Sequence, residues 1–150
     1  MSGGEASAPR RLRVCIDADA LFAGAASATG ASHLILQLGE LGVIELGVPE
    51  QAVIEAERNL RAKLPAALPA FRTMVDACTT RLPMSSRRAA ALLARSGDAD
   101  PKDAPILAAA IAGECRWLVT FNVRDYRTER VRVSEPGPFV ESLRAQLAGA

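Results

Sequence analysis

Aromatic residues are scarce in this chain: four Phe, one Trp and one Tyr among 150 residues. A core must therefore come from Ala, Leu, Val and Ile. So few rings also argue against holding nucleic acid by stacking bases on aromatic platforms. Histidine is scarcer still. With His33 alone and no Cys–His spacing, neither a zinc site nor a histidine-based triad has anything to build on. Net charge is +1 at pH 7, so no global field attracts nucleic acid, and any such contact rests on a local patch. No apolar run reaches the length of a bilayer span, and no internal repeat or linker divides the chain. Residues 1–11 lack the apolar stretch of a secretory signal and read as a disordered tail before one domain at 12–150. Cys15, Cys78 and Cys115 are odd in number and lack metal-ligand spacing, so they read as reduced, buried thiols of a cytoplasmic protein.

What is present is an alternation of short apolar runs with helical patterns. At 49% hydrophobic content the chain suits one domain with one core. Arg13 to Asp17 reads as a buried strand, followed by a short helix to Ala26. Ser32 is positioned to cap a second helix that Gly42 stops. Val43 to Val48 reads as a strand, and from Pro49 a helix carries Ala52, Val53, Ala56, Leu60 and Leu64 on one stripe. A helix is expected over Ala66 to Ala77, a weak strand over Cys78 to Leu82, and a helix from Ser85 or Ser86 to Gly97. The turn-rich loop Gly97 to Lys102 leads into an Ala-rich helix from Asp103 to Ala112. Arg116 to Phe121 and Val131 to Val133 read as strands, and Pro138 opens a last helix. Strands alternating with helices predict a three-layer α/β domain with a parallel sheet.

Four acids sit at strand ends or helix starts: Asp17, Glu55, Asp103 and Asp125. Parallel strands deliver their C-terminal ends to one sheet edge, so carboxylates far apart in sequence can converge there. Converging carboxylates repel and must be desolvated, which calls for a cation, and hard ions such as Mg²⁺ or Mn²⁺ prefer oxygen ligands. That is the pattern of a metal-dependent enzyme acting on phosphate esters. Repulsion also suggests that Asp17→Ala relieves the metal-free fold. Asp19 reads as the cap of the first helix. Asp103 also suits an N-cap, a role compatible with metal binding, and Asp100 before Pro101 reads as a turn residue. Helix phase does not choose between Glu55 and Glu57, nor does the turn after Thr120 choose between Asn122 and Asp125. His33 reads as a surface residue. Basic residues cluster at Arg81, Arg87 and Arg88, and again at Arg124, Arg127, Arg130 and Arg132. The second cluster begins beside the acids, where a phosphodiester backbone needs counter-charge.

The segment Val14-Cys15-Ile16-Asp17-Ala18-Asp19-Ala20-Leu21 resembles the opening motif of the PIN domain. Glu55-Ala56-Glu57-Arg58-Asn59-Leu60 is similar to its second acidic motif. Asp100-Pro101-Lys102-Asp103-Ala104-Pro105-Ile106-Leu107 resembles the third, and Leu118-Val119-Thr120-Phe121-Asn122-Val123-Arg124-Asp125-Tyr126 the fourth. The resemblance spans about residues 12–145. It implies a Rossmann-like sheet of about five parallel strands and a Mg²⁺ or Mn²⁺ site. Asp17, Glu55, Asp103 and Asp125 would be the acidic quartet, with Asp17 and Asp103 on the metal and Thr120 and Asn122 as helpers. It further implies an endoribonuclease cutting single-stranded RNA, Arg124 and Arg127 near the backbone, often as the toxin half of a toxin–antitoxin pair, with an antitoxin protein and a homodimer as partners. Two rivals remain on the sequence. One is a haloacid-dehalogenase-type phosphatase with Asp17 as nucleophile in Asp17-Ala18-Asp19. Against it, Gly97-Asp98 follows a helical pattern rather than a buried strand. The other is a non-catalytic PIN-like module that binds RNA or protein.

Overall fold

The computed structural model describes residues 11–149, so the tail expected at 1–11 lies, apart from Arg11, outside the described residues. The strands are β1 (Arg13–Ile16), β2 (Glu45–Pro49), β3 (Thr80–Leu82), β4 (Trp117–Val119) and β5 (Arg132–Ser134). They form one fully parallel sheet in the order β3-β2-β1-β4-β5. The helices are α1 (Ala18–Ala26), α2 (Ala31–Glu40), α3 (Glu50–Lys63), α4 (Leu68–Cys78), α5 (Arg87–Ser96), α6 (Ala104–Ala112) and α7 (Pro136–Ala148). The steps β1→β2→β3 run one way across the sheet, and the β3→β4 step returns over both. Right-handed crossovers then place their helices on opposite faces, which gives the three α/β/α layers expected from the alternation. No single helix among the described residues is long and apolar enough to cross a membrane.

Val14, Cys15 and Ile16 of β1 and all of β4 are buried, as strands covered on both faces must be. The edge strands β3 and β5 are short and largely exposed, which blunts the sheet edges. Helix α6 is the most apolar of the set. Its residues Ala104 and Ile106 to Ala110 are buried, and Leu107→Ala would cost ~2–5 kcal/mol. The few aromatics are concentrated: Trp117 and Phe139 meet edge to face at 5.1 Å and hold α7 on the sheet, with Arg132 over the Trp117 ring at 4.4 Å. Cys15, Cys78 and Cys115 are free and buried.

Several boundaries differ from the sequence expectation for identifiable reasons. Gly30 rather than Ser32 is the N-cap of α2, and Ser32 is buried in the first turn with its hydroxyl unpartnered. Strand β2 starts two residues late because the N–H groups of Val43 and Ile44 donate to the Leu38 carbonyl and finish α2 instead. The stretch from Ala66 opens as a 3-10 turn, Pro65–Ala67, before α4. Helix α7 begins at Pro136, where the fixed φ of proline suits the first helical position. Gly97 ends α5 in the left-handed conformation at φ 84°, which frees the chain to turn toward the sheet edge. Gly39 is required where α2 meets the end of α4, because a Cβ there would overlap the Cys78 carbonyl oxygen.

Candidate active site

The chain leaves β1 toward β2 on one side and reaches β4, on the other side of β1, only later. The crevice between the C-terminal ends of β1 and β4 is therefore a topological switch point, where α/β sheets bind ligands. Asp17 is the first residue beyond β1, and its N–H still bonds the Val119 carbonyl at 3.0 Å. Its side chain is almost fully buried, and both oxygens are occupied. Oδ1 accepts the Ala18 N–H at 2.7 Å, and Oδ2 accepts the Tyr126 hydroxyl at 3.0 Å and the Thr120 hydroxyl at 3.1 Å. Burial raises the Asp17 pKa, and the three donors pull it back. Burial and the adjacent Asp17 push the Tyr126 hydroxyl pKa upward, so it remains a donor.

Asp17, not Asp19, caps α1, which corrects the expected capping role of Asp19. Asp19 lies in the first turn and reaches across to β4. Its Oδ1 accepts the Ala20 N–H at 2.6 Å, and its Oδ2 accepts the Phe121 N–H at 3.0 Å and the Asn122 side-chain amide at 2.9 Å. Burial, then the charge of Asp17, raises its pKa to about 6. Asp19 and Tyr126 are thus members of the site that sequence reasoning missed. The signal for Asp19 was the Asp-x-Asp spacing at a helix start, read as a cap or as part of a phosphatase motif. Tyr126 carried no signal beyond closing the fourth motif as the lone tyrosine.

A second group of acids is assembled by two loops that zip together. Ala99 and Tyr126 form an isolated antiparallel bridge, and the Asp100 N–H donates to the Asp125 carbonyl at 2.9 Å. Arg127 fastens the pair: its Nε donates to Gly97 O, one guanidinium nitrogen to Arg124 O, and the other to Asp100 Oδ1 at 2.8 Å. The result sets carboxylate oxygens of Asp100, Asp103 and Asp125 within 4.8 Å of one another. Asp100 is the turn residue expected, since its carbonyl accepts from Asp103 and Ala104, and Arg127 holds its carboxyl below the usual range. Asp103 stands at the N-cap of α6, but its side chain makes no capping bond. Its Oδ2 is buried without a hydrogen-bond partner. Burial, a hydrogen bond with Asp125, and the charges of Asp17 and Asp125 push its pKa up to about 7. Lys102 offsets this only weakly, lying 3.8 Å from Asp125. The open choice between Asn122 and Asp125 resolves into two positions: Asn122 holds Asp19, while Asp125 joins the acid group.

Glu55 is exposed on α3 and lines a cleft of about 250 Å³ together with Asp103, Lys102, Gln51, Arg58 and Met84. Glu57 points elsewhere: Arg72 holds it at 3.0 and 3.3 Å, and Arg61 lies at 3.9 Å. In the same cleft the Gln51 Oε1 is buried and unpartnered. Two orphaned acceptors, Gln51 Oε1 and Asp103 Oδ2, therefore border one cleft. Acceptors cannot satisfy each other, and an all-oxygen donor set of this kind suits a hard divalent ion. His33 takes no part in the site; its Nδ1 bonds the Gly24 carbonyl at 3.1 Å and ties α2 to α1.

A parallel sheet ordered 3-2-1-4-5 with acids gathered at its switch point defines a class, and the sequence falls in it. The PIN-domain pattern matches residues 13–124, three quarters of the chain, and the protein belongs to the PIN domain family, whose members are typically nucleases. Asp125, Tyr126 and Arg127 lie just beyond the matched segment. Among solved structures, the chain is similar to PAE2754 from Pyrobaculum aerophilum, at 20% identity and TM-score 0.63 over 93% of this chain and 91% of that one. It is also similar to VapBC2 from Rickettsia felis bound to a DNA fragment from their promoter, at 12% identity and TM-score 0.60 over 83% of this chain and 98% of that one. Comparison with curated proteins gives no significant match.

Proposed function

We propose that the protein is a Mg²⁺- or Mn²⁺-dependent endoribonuclease that hydrolyses phosphodiester bonds of single-stranded RNA. The observation that carries this reading is the buried, partnerless Asp103 Oδ2 inside a group of three carboxylates. Such an arrangement is costly until a cation enters. Asp103 and Asp125 would hold the ion on the open side of the crevice, with Asp17 at its buried wall and Glu55 completing the acidic ring across the cleft. When bound, the ion supplies Lewis-acid charge and lowers the pKa of water at the scissile phosphorus. The chain's own residues do the positioning. Thr120 and Tyr126 fix the Asp17 carboxylate, and Asn122 with the Phe121 N–H fixes Asp19. Glu55 lines the cleft and makes no ion pair among the described residues. Arg58 and Arg124, exposed and making no ion pair among the described residues, offer charge to the RNA backbone. Arg127 is a weaker candidate for RNA contact, because its guanidinium is engaged with the chain itself.

Cleavage of labelled single-stranded RNA with Mn²⁺, Mg²⁺ or chelator, wild type beside Asp103→Asn, tests the assignment. Metal-dependent cutting lost in the variant is expected; cutting retained in the variant or in chelator would sink it. The phosphatase alternative is disfavoured by the PIN-domain match over residues 13–124, and the bonds to both Asp17 oxygens fit a positioned carboxylate rather than a free nucleophile. The non-catalytic alternative is disfavoured by Asp125, the fourth acid, standing beside Asp103. A toxin role with an antitoxin partner belongs to the same reading. Family membership and the likeness to the VapBC2 structure support it. A cytoplasmic setting accords with three free, buried thiols.

A further inference from the structure

Phe71 and Phe139 are buried, as are Trp117 and Tyr126. Phe22 is half-buried against the groove between α3 and α4. Phe121 differs, leaving 47% of its surface to water. Single exposed apolar residues are ordinary on protein surfaces. Two features set this one apart. The first is place: Phe121 follows Thr120, whose hydroxyl bonds Asp17, and precedes Asn122, whose amide bonds Asp19. With successive Cα atoms ~3.8 Å apart, its backbone lies between the two residues that hold Asp17 and Asp19, at the rim of the crevice. The second is rigidity. The Phe121 N–H is bound to Asp19 Oδ2 at 3.0 Å, and Thr120 before it is fully buried, with its N–H on the Ser134 carbonyl at 3.0 Å. Its backbone is pinned on the sheet edge, so the exposed ring is presented on a fixed support.

We infer that Phe121 is a stacking platform for the nucleobase beside the scissile phosphate, and so a specificity-determining contact of the ribonuclease. This rests on the function proposed above. Base–aromatic stacking tolerates every base, and modest preferences follow stacking strength. A purine is therefore favoured at that one position. The scarcity of rings excludes an extended stacking surface but not a single platform, which needs one ring in the right place.

The test is steady-state cleavage of single-stranded RNA with Mn²⁺, by wild type, Phe121→Ala and Phe121→Trp. Each substrate carries a purine, a pyrimidine or an abasic nucleotide at one position scanned across the cut site. At one position Phe121→Ala should lose roughly 5–100-fold in kcat/KM, most of it in KM, together with the purine preference. Phe121→Trp should retain both. On the substrate abasic at that position, wild type and Phe121→Ala should become equal, which a merely structural role of Phe121 does not produce. In parallel, 2-aminopurine at the same position should be quenched by wild type in chelator and not by Phe121→Ala. An unchanged KM in Phe121→Ala, or an equal loss on the abasic substrate, overturns the inference while leaving the ribonuclease reading intact. So does a position-specific loss that appears instead in Met84→Ala, which would put the base in the cleft. Failure of the wild type to cut any RNA overturns the ribonuclease reading and the inference with it.

Discussion

The two halves of the acidic crevice are built on opposite terms. On the β1 side, Asp17 and Asp19 are met by hydrogen-bond donors from three directions: helix α1, the end of β4 and Tyr126. On the loop side, Asp103 has an oxygen with no partner and a pKa pushed up to about 7. The first half is satisfied by the protein alone and gains its order on folding. The second remains in electrostatic debt until positive charge arrives. A site divided in this way combines a fixed reference point with a half whose carboxylates would gain most from a bound cation.

The sharpest way to break the contrast is Asp103→Asn. It should reduce metal-dependent cleavage by at least ~100-fold and at the same time raise the melting temperature of the metal-free protein, because it removes the charge that has no partner. Asp17→Ala should do the reverse for stability. The sequence alone suggested relief of repulsion there, but Asp17 caps α1 and accepts the Thr120 and Tyr126 hydroxyls, so its loss strands the buried Tyr126 hydroxyl and leaves Thr120 only its longer contacts to Asp19. Thermal melts of both variants in chelator check the pair, and a lower melting temperature for Asp103→Asn would refute the division. Arg127→Ala should next cost up to ~100-fold in activity by loosening the loops that set Asp100, Asp103 and Asp125 together, with only a small drop in melting temperature. Cleavage assays beside melts separate the two effects. Tyr126→Phe removes one donor from the satisfied half. It should destabilise the fold by ~1.5–3 kcal/mol and weaken Mn²⁺ binding ~10–100-fold, readable by denaturant unfolding and by metal titration.

The smallest and most graded effect is that of pH. Asp19 and Asp103 both have folded-state values raised above the ordinary 3.8, to about 6 and about 7, so between these limits the folded chain holds more protons than the unfolded one. Stability is then full below pH ~4 as far as these groups are concerned and declines as pH rises through about 7. Metal-free melting temperature should fall over that window, and saturating Mn²⁺ should flatten or reverse the slope. Melts across pH with and without Mn²⁺ test this, and a metal-free stability that rises from pH 4 to 7 would contradict it.

The sheet was legible in the sequence because strands buried on both faces leave continuous apolar runs, as Val14 to Ile16 and Trp117 to Val119 do. Helix α1 was legible to the residue, and α5 was bounded by Ser85 or Ser86 and by Gly97, of which Ser86 and Gly97 are the caps in the structure. Where boundaries slipped, local hydrogen bonding competed with pattern: Val43 looks like a strand residue but serves to end α2. The same limit applies to the crevice. Strand ends announce Asp17, and a helix start announces Asp103. Side chains that reach across the sheet have no periodic signature, and so Asp19 was read as a cap and Tyr126, though it closes the fourth motif, was given no role. The division of labour between Glu55 and Glu57 depended on Arg72, which comes from a different helix and is invisible to helix phase.

The bridge between residues 97–100 and 124–127 has a consequence for how this chain tolerates change in length. Met84 lines the cleft and the Ser85 hydroxyl donates to the Pro105 carbonyl, but beyond them helix α5 lies outside the clasp made by Arg127 and buries only Leu93. Residues added or removed late in α5, ahead of Gly97, are expected to disturb its packing on α6 more than the register of the crevice. Between Gly97 and Asp103 there is no such slack. One extra residue would move Asp100 off both the Asp125 carbonyl and the Arg127 guanidinium, and would turn Asp103 away from its neighbours. The count of residues is therefore expected to matter more within the clasp than in the helix before it.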